Sequence, residues 1–464
     1  MQTSDRQKLQ ELASAPVARL LWRYSLPAVV GMLVMSLYNI IDRIYIGQWV
    51  GPEAIAGLAI TFPVMNLSAA LGVLIGAGGS ARISILLGSK DFSGAKKVLE
   101  TAFVLQVLVV SLYLTVFAIF IDDILRAFGA SEVTLPYARD FMLCILPGMM
   151  LTNFAFTFNN FMRVTGYPVK AMVTMFIGAG LNLVLAPLFI FVLDWGIKGA
   201  AIATDISMGV SAFWVMSHFF RQGNVLSLER NFSWFGWPDL KVVGQIVSIG
   251  AAPSLVNAAA CFINVIINKS LYLYGGDVAV GAAGIFTSFT SLMTMVVVGL
   301  CQGMQPIVGY NYGAGLYSRL KSTFYLAVAI ATLVVTLGQI FGQLMPWYIA
   351  RAFTSDETLI SVTVNCLSIA MTAFAVVGFQ IVSTTLFQSL GKATASIFLS
   401  LTRQVIFLIP LLLLLPRSMG LDGVWMAFPL SDMLATAVTL AMVVYQLRHI
   451  STRADMESVS ESAC

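Results

Sequence analysis

Long apolar stretches separated by short polar connections set the rhythm of this chain. Twelve stretches have the length of a membrane-crossing helix: 17–46, 54–87, 94–121, 133–162, 168–193, 197–221, 241–272, 278–312, 317–345, 356–388, 392–416 and 420–449. A bilayer core needs about 20 apolar residues in a helix. Several stretches exceed that, so tilt or extension beyond the bilayer is expected. The pattern is interrupted most clearly at 222–240, which is polar and aromatic and includes Asn231-Phe-Ser-Trp-Phe-Gly-Trp-Pro. That composition suits an amphipathic linker lying at a membrane surface. The predicted organisation is a polar N-terminus (1–16), six spans (17–221), a linker (222–240), six further spans (241–449) and a short polar tail (450–464). The predicted class is an all-α membrane protein. The N-terminal segment has no apolar core, so no cleaved signal peptide is expected.

Composition agrees with that pattern. Of 464 residues, 58% are hydrophobic and 10% charged, against about 25% charged in soluble domains. Mean hydropathy is +0.87. The net charge of +4 is too small and scattered to imply a nucleic-acid partner. Cys144, Cys261, Cys301, Cys366 and Cys464 form no CxxC or Cys/His cluster and read as reduced packing residues. No metal site or cofactor is implied. An enzyme is not expected: Asp122-Asp123 is a lone pair in a short connection, and the histidines are His218 and His449 alone. Lys and Arg fall unequally: 18 lie on the side of the termini, the linker and the even-to-odd connections, against five on the other. That bias predicts both termini in the cytoplasm of a bacterial or archaeal cell, the chain lying in its cytoplasmic (inner) membrane.

The two sets of spans repeat one another. Pro27 answers Pro253 at an offset of 226, Gly78 and Gly88 answer Gly303 and Gly313 at 225, and Gly196 and Gly199 answer Gly420 and Gly423 at 224. An even number of spans per repeat makes the halves parallel, related by an axis along the membrane normal, as in known transporters.

One stretch stands out chemically, Ser36-Leu-Tyr-Asn-Ile-Ile-Asp-Arg-Ile-Tyr-Ile-Gly. Asp42 lies deep in the first span, where a charge is costly and is normally retained for function. Tyr38 and Asn39, four and three residues earlier, share its helical face. A low-dielectric setting favours the neutral acid, so Asp42 can take a proton on one side of the membrane and lose it on the other. Asn153, Asn182 and Thr204 are candidate hydrogen-bonding supports, and Asp205 is a second intramembrane acid. Pro27 removes a helical hydrogen bond and is a candidate hinge. Arg403 in the eleventh span has Asp432 in the twelfth as a possible structural partner.

At these residues the chain resembles the multidrug and toxic compound extrusion (MATE) family, within the multidrug/oligosaccharidyl-lipid/polysaccharide flippase superfamily. The residues carrying the resemblance are Gln302-Gly-Met-Gln-Pro-Ile-Val-Gly-Tyr-Asn-Tyr-Gly-Ala-Gly, Gly196-Ile-Lys-Gly-Ala-Ala-Ile-Ala-Thr, Asn39-Ile-Ile-Asp-Arg and Asn182-Leu-Val-Leu-Ala-Pro. It implies two pseudo-symmetric six-helix lobes, alternating access, and export of amphipathic organic cations against a proton or Na⁺ gradient, with a monomer expected in the lipid bilayer. The Na⁺-coupled branch carries acids in spans 7 and 10, where this chain offers Asn268, Asn365 and Gln380. The chain is more similar to the branch with a proton site in the N-terminal lobe. That branch typically has Asn-x-x-x-Asp-Pro in span 5; here the Asp position is Ala186. Alternatives are Na⁺-coupled antiport and a lipid-linked oligosaccharide flippase, which would be expected to cluster arginines centrally.

Overall fold

The computed structural model describes residues 3–49, 52–128, 130, 132, 134–221, 223–228 and 238–462; among them every regular element is helical. The first half comprises α1 (Thr3–Ser14), α2 (Val17–Trp49), α3 (Pro52–Gly88), α4 (Phe92–Ile119), α5 (Ile121–Ala127), α6 (Leu135–Val164), α7 (Pro168–Pro187) and α8 (Gly196–Phe220). The second comprises α9 (Leu240–Gly313), α10 (Tyr317–Leu344), α11 (Pro346–Phe353), α12 (Glu357–Ala370), α13 (Val377–Ser389), α14 (Ala393–Leu401), α15 (Ile409–Met419) and α16 (Leu421–Ser462). The 74-residue α9 is broken at Gly276 (φ 64°, ψ −163°), a conformation that only a residue without Cβ adopts readily. α12 and α13 form one span bent by 55°. Among the described residues ten helices are long and apolar enough to cross a membrane; with α9 divided and the bent pair counted as one span, the spans number twelve.

The expected span limits differ from the helix limits by only a few residues. Three features were not anticipated. The polar N-terminus is helical as α1, the connections at the opposite end from the termini contain α5 and α11, and α16 runs through most of the expected tail to Ser462. One π-helical turn, Leu188–Val192, follows α7, and another, Thr402–Leu408, joins α14 to α15. α2 continues through Pro27 without a break.

The halves meet along α3 and α9, and the contacts are reciprocal. A Cβ on Gly88 would lie 2.0 Å from the Tyr310 carbonyl oxygen, and one on Gly313 would lie 2.0 Å from that of Ile85. These are the same two positions exchanged between repeats. Gln305 Nε2 donates to Ser80 Oγ at 3.1 Å, joining residues 225 apart. The pseudo-two-fold axis therefore passes between Ser80 and Gln305. Gly250 against Leu74 and Gly299 against Val29 extend the seam. Small residues allow such close backbone approach where no hydrophobic force drives helices together in lipid. All of this lies toward the Lys- and Arg-rich ends of the helices.

α1 straps that end. Leu9 and Leu12 are buried, and Lys8 Nζ sits 3.8 Å from the centre of the Tyr167 ring in the first half. From the second half, Asn311 Nδ2 and Arg319 Nη2 donate to the Leu12 carbonyl at 3.2 and 3.3 Å. A polar tether joins the halves nearby: Lys97 Nζ lies 2.5 Å from Asp239 Oδ2. The Lys97 ammonium and the Lys241 and Val242 N–H groups hold the Asp239 carboxyl below its usual range, so this tie outlasts ordinary carboxylates as pH falls.

Lys90 occupies the left-handed region (φ 62°), whereas Gly315 (φ 72°) stands at its repeat equivalent. Lys90→Gly is expected to stabilise the protein by about 0.5–1 kcal/mol, since relief of strain exceeds the added freedom of the unfolded chain. Thermal unfolding in detergent checks it; a lower midpoint would count against the strain argument.

Candidate functional site

In the interior of the first half, α7 and α8 are joined by Asn182. Its Nδ2 donates to Thr204 Oγ1 at 2.9 Å, and Thr204 Oγ1 donates to the Ala200 carbonyl at 3.0 Å. Asn182 is 1% exposed, so its amide depends on this partner. Ala186, one turn further along α7, is fully buried in an apolar cluster with Ala200, Ala203, Ile190 and Ile197. A methyl group thus fills the place where the resemblance leads to the expectation of an acid.

The other expected site residues are not all gathered there. Asn153 Nδ2 donates to Ser68 Oγ on α3 at 2.9 Å and to the Met149 carbonyl at 2.8 Å. Next to it on α6, Thr157 Oγ1 lies 3.0 Å from Gln106 Oε1, tying in α4. Asp205 faces α6, where a Cβ on Gly148 would collide with its Oδ1 at 1.7 Å. Tyr38 is half-buried on α2. The side chains of Asn39 and Asp42 lie outside the described residues. Among the described residues no three His, Cys, Asp or Glu side chains come together.

The second half is organised differently. Asp432 is buried and takes a hydrogen bond from Arg403 Nε at 2.6 Å. Arg403 belongs to the π-helical turn, whose wider ring re-aims side chains at such positions. Gln380 Nε2 donates to the Asp432 carbonyl at 2.5 Å and to Thr436 Oγ1 at 2.6 Å. Asn365 Nδ2 donates to Asp422 Oδ1 at 2.7 Å near the helix ends. The described buried acid of this half is therefore already neutralised.

Arg163 is one of the 18 basic residues on the side of the termini. It is 3% exposed at the seam between halves. Its Nη1 reaches Gln302 Oε1 on α9 and, at 3.3 Å, Asn160 Oδ1. Nothing local distinguishes it from Lys170 nearby; its burial follows from the docking of the second half.

Thr204→Val is expected to cost about 1–2 kcal/mol, because Asn182 Nδ2 would stay buried without an acceptor. Interhelical bonds in membranes average less, about 0.6 kcal/mol, so the larger value tests the burial argument. The double change Asn182→Leu/Thr204→Val should cost less than the two singles together, measured as a thermodynamic cycle. Strict additivity would mean that the pair is not coupled.

Two parallel six-span repeats closed against each other at one end define a secondary transporter architecture. The MatE family model matches the chain twice, over residues 27–188 and 253–414. Both limits of the two matches are 226 apart, the spacing of Pro27 and Pro253. The chain belongs to the MatE family of transporters. It is 25% identical over 442 residues to the multidrug export protein MepA of Staphylococcus aureus (strain MRSA252), covering 95% of this chain and 96% of that one. It is also similar to a structure described as the outward-facing conformation of a multidrug resistance MATE family transporter of the MOP superfamily. There the TM-score is 0.89 and the identity 24%, with 95% of this chain and 98% of that one covered. A MATE structure in a bent conformation matches with a TM-score of 0.90 at 24% identity, over 97% and 99% of the respective chains.

Proposed function

We propose that this protein is a multidrug efflux antiporter, exporting amphipathic organic cations in exchange for protons by alternating access of its two lobes. Similarity to a multidrug export protein along nearly the whole chain supports the transport class. The observation that carries proton coupling, and its assignment to the first half, is the contrast between the lobes. In the second half Asp432 is held by Arg403 at 2.6 Å. In the first half the chain places Asp42 and Asp205 within spans, and no described cation pairs with Asp205. Asp42 serves as the proton-coupling group, with Tyr38, Asn39, Asn182 and Thr204 as its polar surroundings and Pro27 as the bend point of the first span. The lobes rock about the axis between Ser80 and Gln305, so the Lys- and Arg-rich end opens as the other closes. That end faces the cytoplasm, in agreement with the charge bias. Each chain contains both lobes and works as a monomer in the cytoplasmic membrane.

Purified protein in proteoliposomes tests this reading. An imposed pH gradient, acidic on the side from which protons enter, should drive uptake of ethidium into the acidic lumen of inverted vesicles. Collapse of the gradient should stop it, and a Na⁺ gradient should not replace it. Drive by Na⁺ alone, or movement of a labelled isoprenoid-linked oligosaccharide instead of ethidium, would overturn the proposal in favour of the corresponding alternative.

A further inference from the structure

The seam between α6 and α8 carries a polar track that the family resemblance does not account for. At one end Lys198 Nζ pairs with Asp140 Oδ2 at 3.0 Å. Cys144, half-buried, is one turn in from Asp140 on α6. Gly148 follows, and Asp205 of α8 is seated against it. Further in, Gly209 meets Leu151 across the seam, 3.4 Å from its Cδ1 to an ideal Cβ, and the track ends in apolar packing. Asp205 is seven residues beyond Lys198, about 10 Å along the helix, and near the middle of a 25-residue span.

Its surroundings are unusual for an acid at that depth. Oδ1 is buried without a side-chain or cation partner, the carboxyl's one polar neighbour being the Gly148 backbone, although the residue as a whole is only half-buried. Gly148 is what admits it: any side chain there would occupy the position of Oδ1. The ionisable groups on the packed faces are Asp140 and Cys144 on α6 and Lys198 on α8 itself; the inner length of α7, from 171 to 187, has none. Asp42 and Arg43 on α2 lie among the undescribed side chains. Lys198 is committed to Asp140. An intramembrane acid without a cation partner or a full set of hydrogen bonds is rare, and such groups mark proton relays.

We propose that Asp205 is a second proton carrier of the transport cycle, loaded along the α6–α8 seam from the end bearing Asp140 and Lys198. This rests on the proton-coupled reading above. In each cycle the carboxylate takes one proton from that side to become the acid, and returns it to the opposite side when the lobes exchange access. With Asp42 this makes two protons per exported monovalent cation, so one net charge crosses the membrane. Accumulation should then respond to membrane potential, by about 50-fold per 100 mV at equilibrium.

The test clamps pH gradient and membrane potential separately in proteoliposomes of the full chain and follows ethidium together with a pH dye. Wild type should release about twice as many protons per ethidium as Asp205→Asn. The variant should export under the pH gradient but lose the response to potential, and Asp205→Glu should restore it. Gly148→Ala, which displaces the carboxyl, should weaken the response in the same direction. Difference infrared spectra of wild type minus Asp205→Asn should contain a protonated carboxyl stretch that shifts with pH. Equal proton counts and equal potential dependence in wild type and Asp205→Asn would overturn the proposal while leaving proton coupling intact. So would the absence of that carboxyl stretch where the variant is too unstable to assay. A wild type that moves no protons overturns the proton-coupled reading itself.

Discussion

Asp42→Asn is expected to reduce proton-gradient-driven efflux to the level of cells lacking the protein. Asparagine keeps the size and hydrogen-bonding reach of the side chain but cannot bind and release a proton near neutral pH. Removing a charge from the first span should leave folding intact or improve it, because an intramembrane carboxylate costs several kcal/mol on any scale. The expected signature is therefore full transport loss with undiminished yield and unfolding midpoint. Asp205 should not compensate, since it faces the α6–α8 seam rather than the Asn182–Thr204 pair. Dye-efflux assays and thermal unfolding of the same preparations check this. Efflux at wild-type level in the variant would remove Asp42 from the mechanism.

The second large effect is expected at the seam between lobes. Gly88→Ala and Gly313→Ala each place a methyl carbon about 2.0 Å from a backbone carbonyl oxygen of the opposite half. Neither neighbour is a flexible side-chain tip, so the helices themselves must separate. Overpacking of this kind costs about 1–3 kcal/mol. The cost falls only on the state in which the Lys- and Arg-rich end is closed, so the equilibrium should shift toward opening there by roughly 5- to 150-fold. Ser84, 1% exposed and facing Gly309 across the seam, provides the reporter. Ser84→Cys, on a background without the native cysteines, should label much faster with a membrane-impermeant maleimide when either glycine is replaced. Gly244→Ala is the control, because nothing lies within 4 Å of its added carbon. Equal labelling in Gly88→Ala and Gly244→Ala would show that the seam tolerates the methyl group and does not hold this end shut.

Both predictions begin from residues that stand out in the sequence, but in different ways. Asp42 is conspicuous because hydrophobic neighbours surround a charge. Gly88 and Gly313 are conspicuous only as a repeated pair; their partners, Tyr310 and Ile85, became visible when the halves were docked. The burial of Arg163 was not legible, because a cation next to a connection looks alike whether water or another lobe covers it. α1 was overlooked because Leu9 and Leu12 are too few to make an apolar run, yet they suffice to anchor a strap once the Lys- and Arg-rich ends of both lobes lie beneath it. Asn153 was grouped with Asn182 by residue type, while the structure gives it to Ser68 on a different seam.

The number, limits and pairing of the spans were legible from the chain's composition alone. Lipid forces each span to satisfy its own backbone and to be apolar over a fixed length, so local composition is sufficient information. The repeat was legible as well, since the glycines and prolines that shape one half recur at a constant spacing in the other. Which polar groups meet emerged from the packing of the helices: Asn182 with Thr204, Arg403 with Asp432, Arg163 with Gln302, and Asp205 with the notch at Gly148. A helix turns by about 100° per residue and each span has several neighbours, so a polar side chain has several possible partners. Which one it reaches depends on the rotation and depth of whole helices. Those are set by the summed packing of the lobes, with the glycine seam about Ser80 and Gln305 fixing how closely the two halves approach.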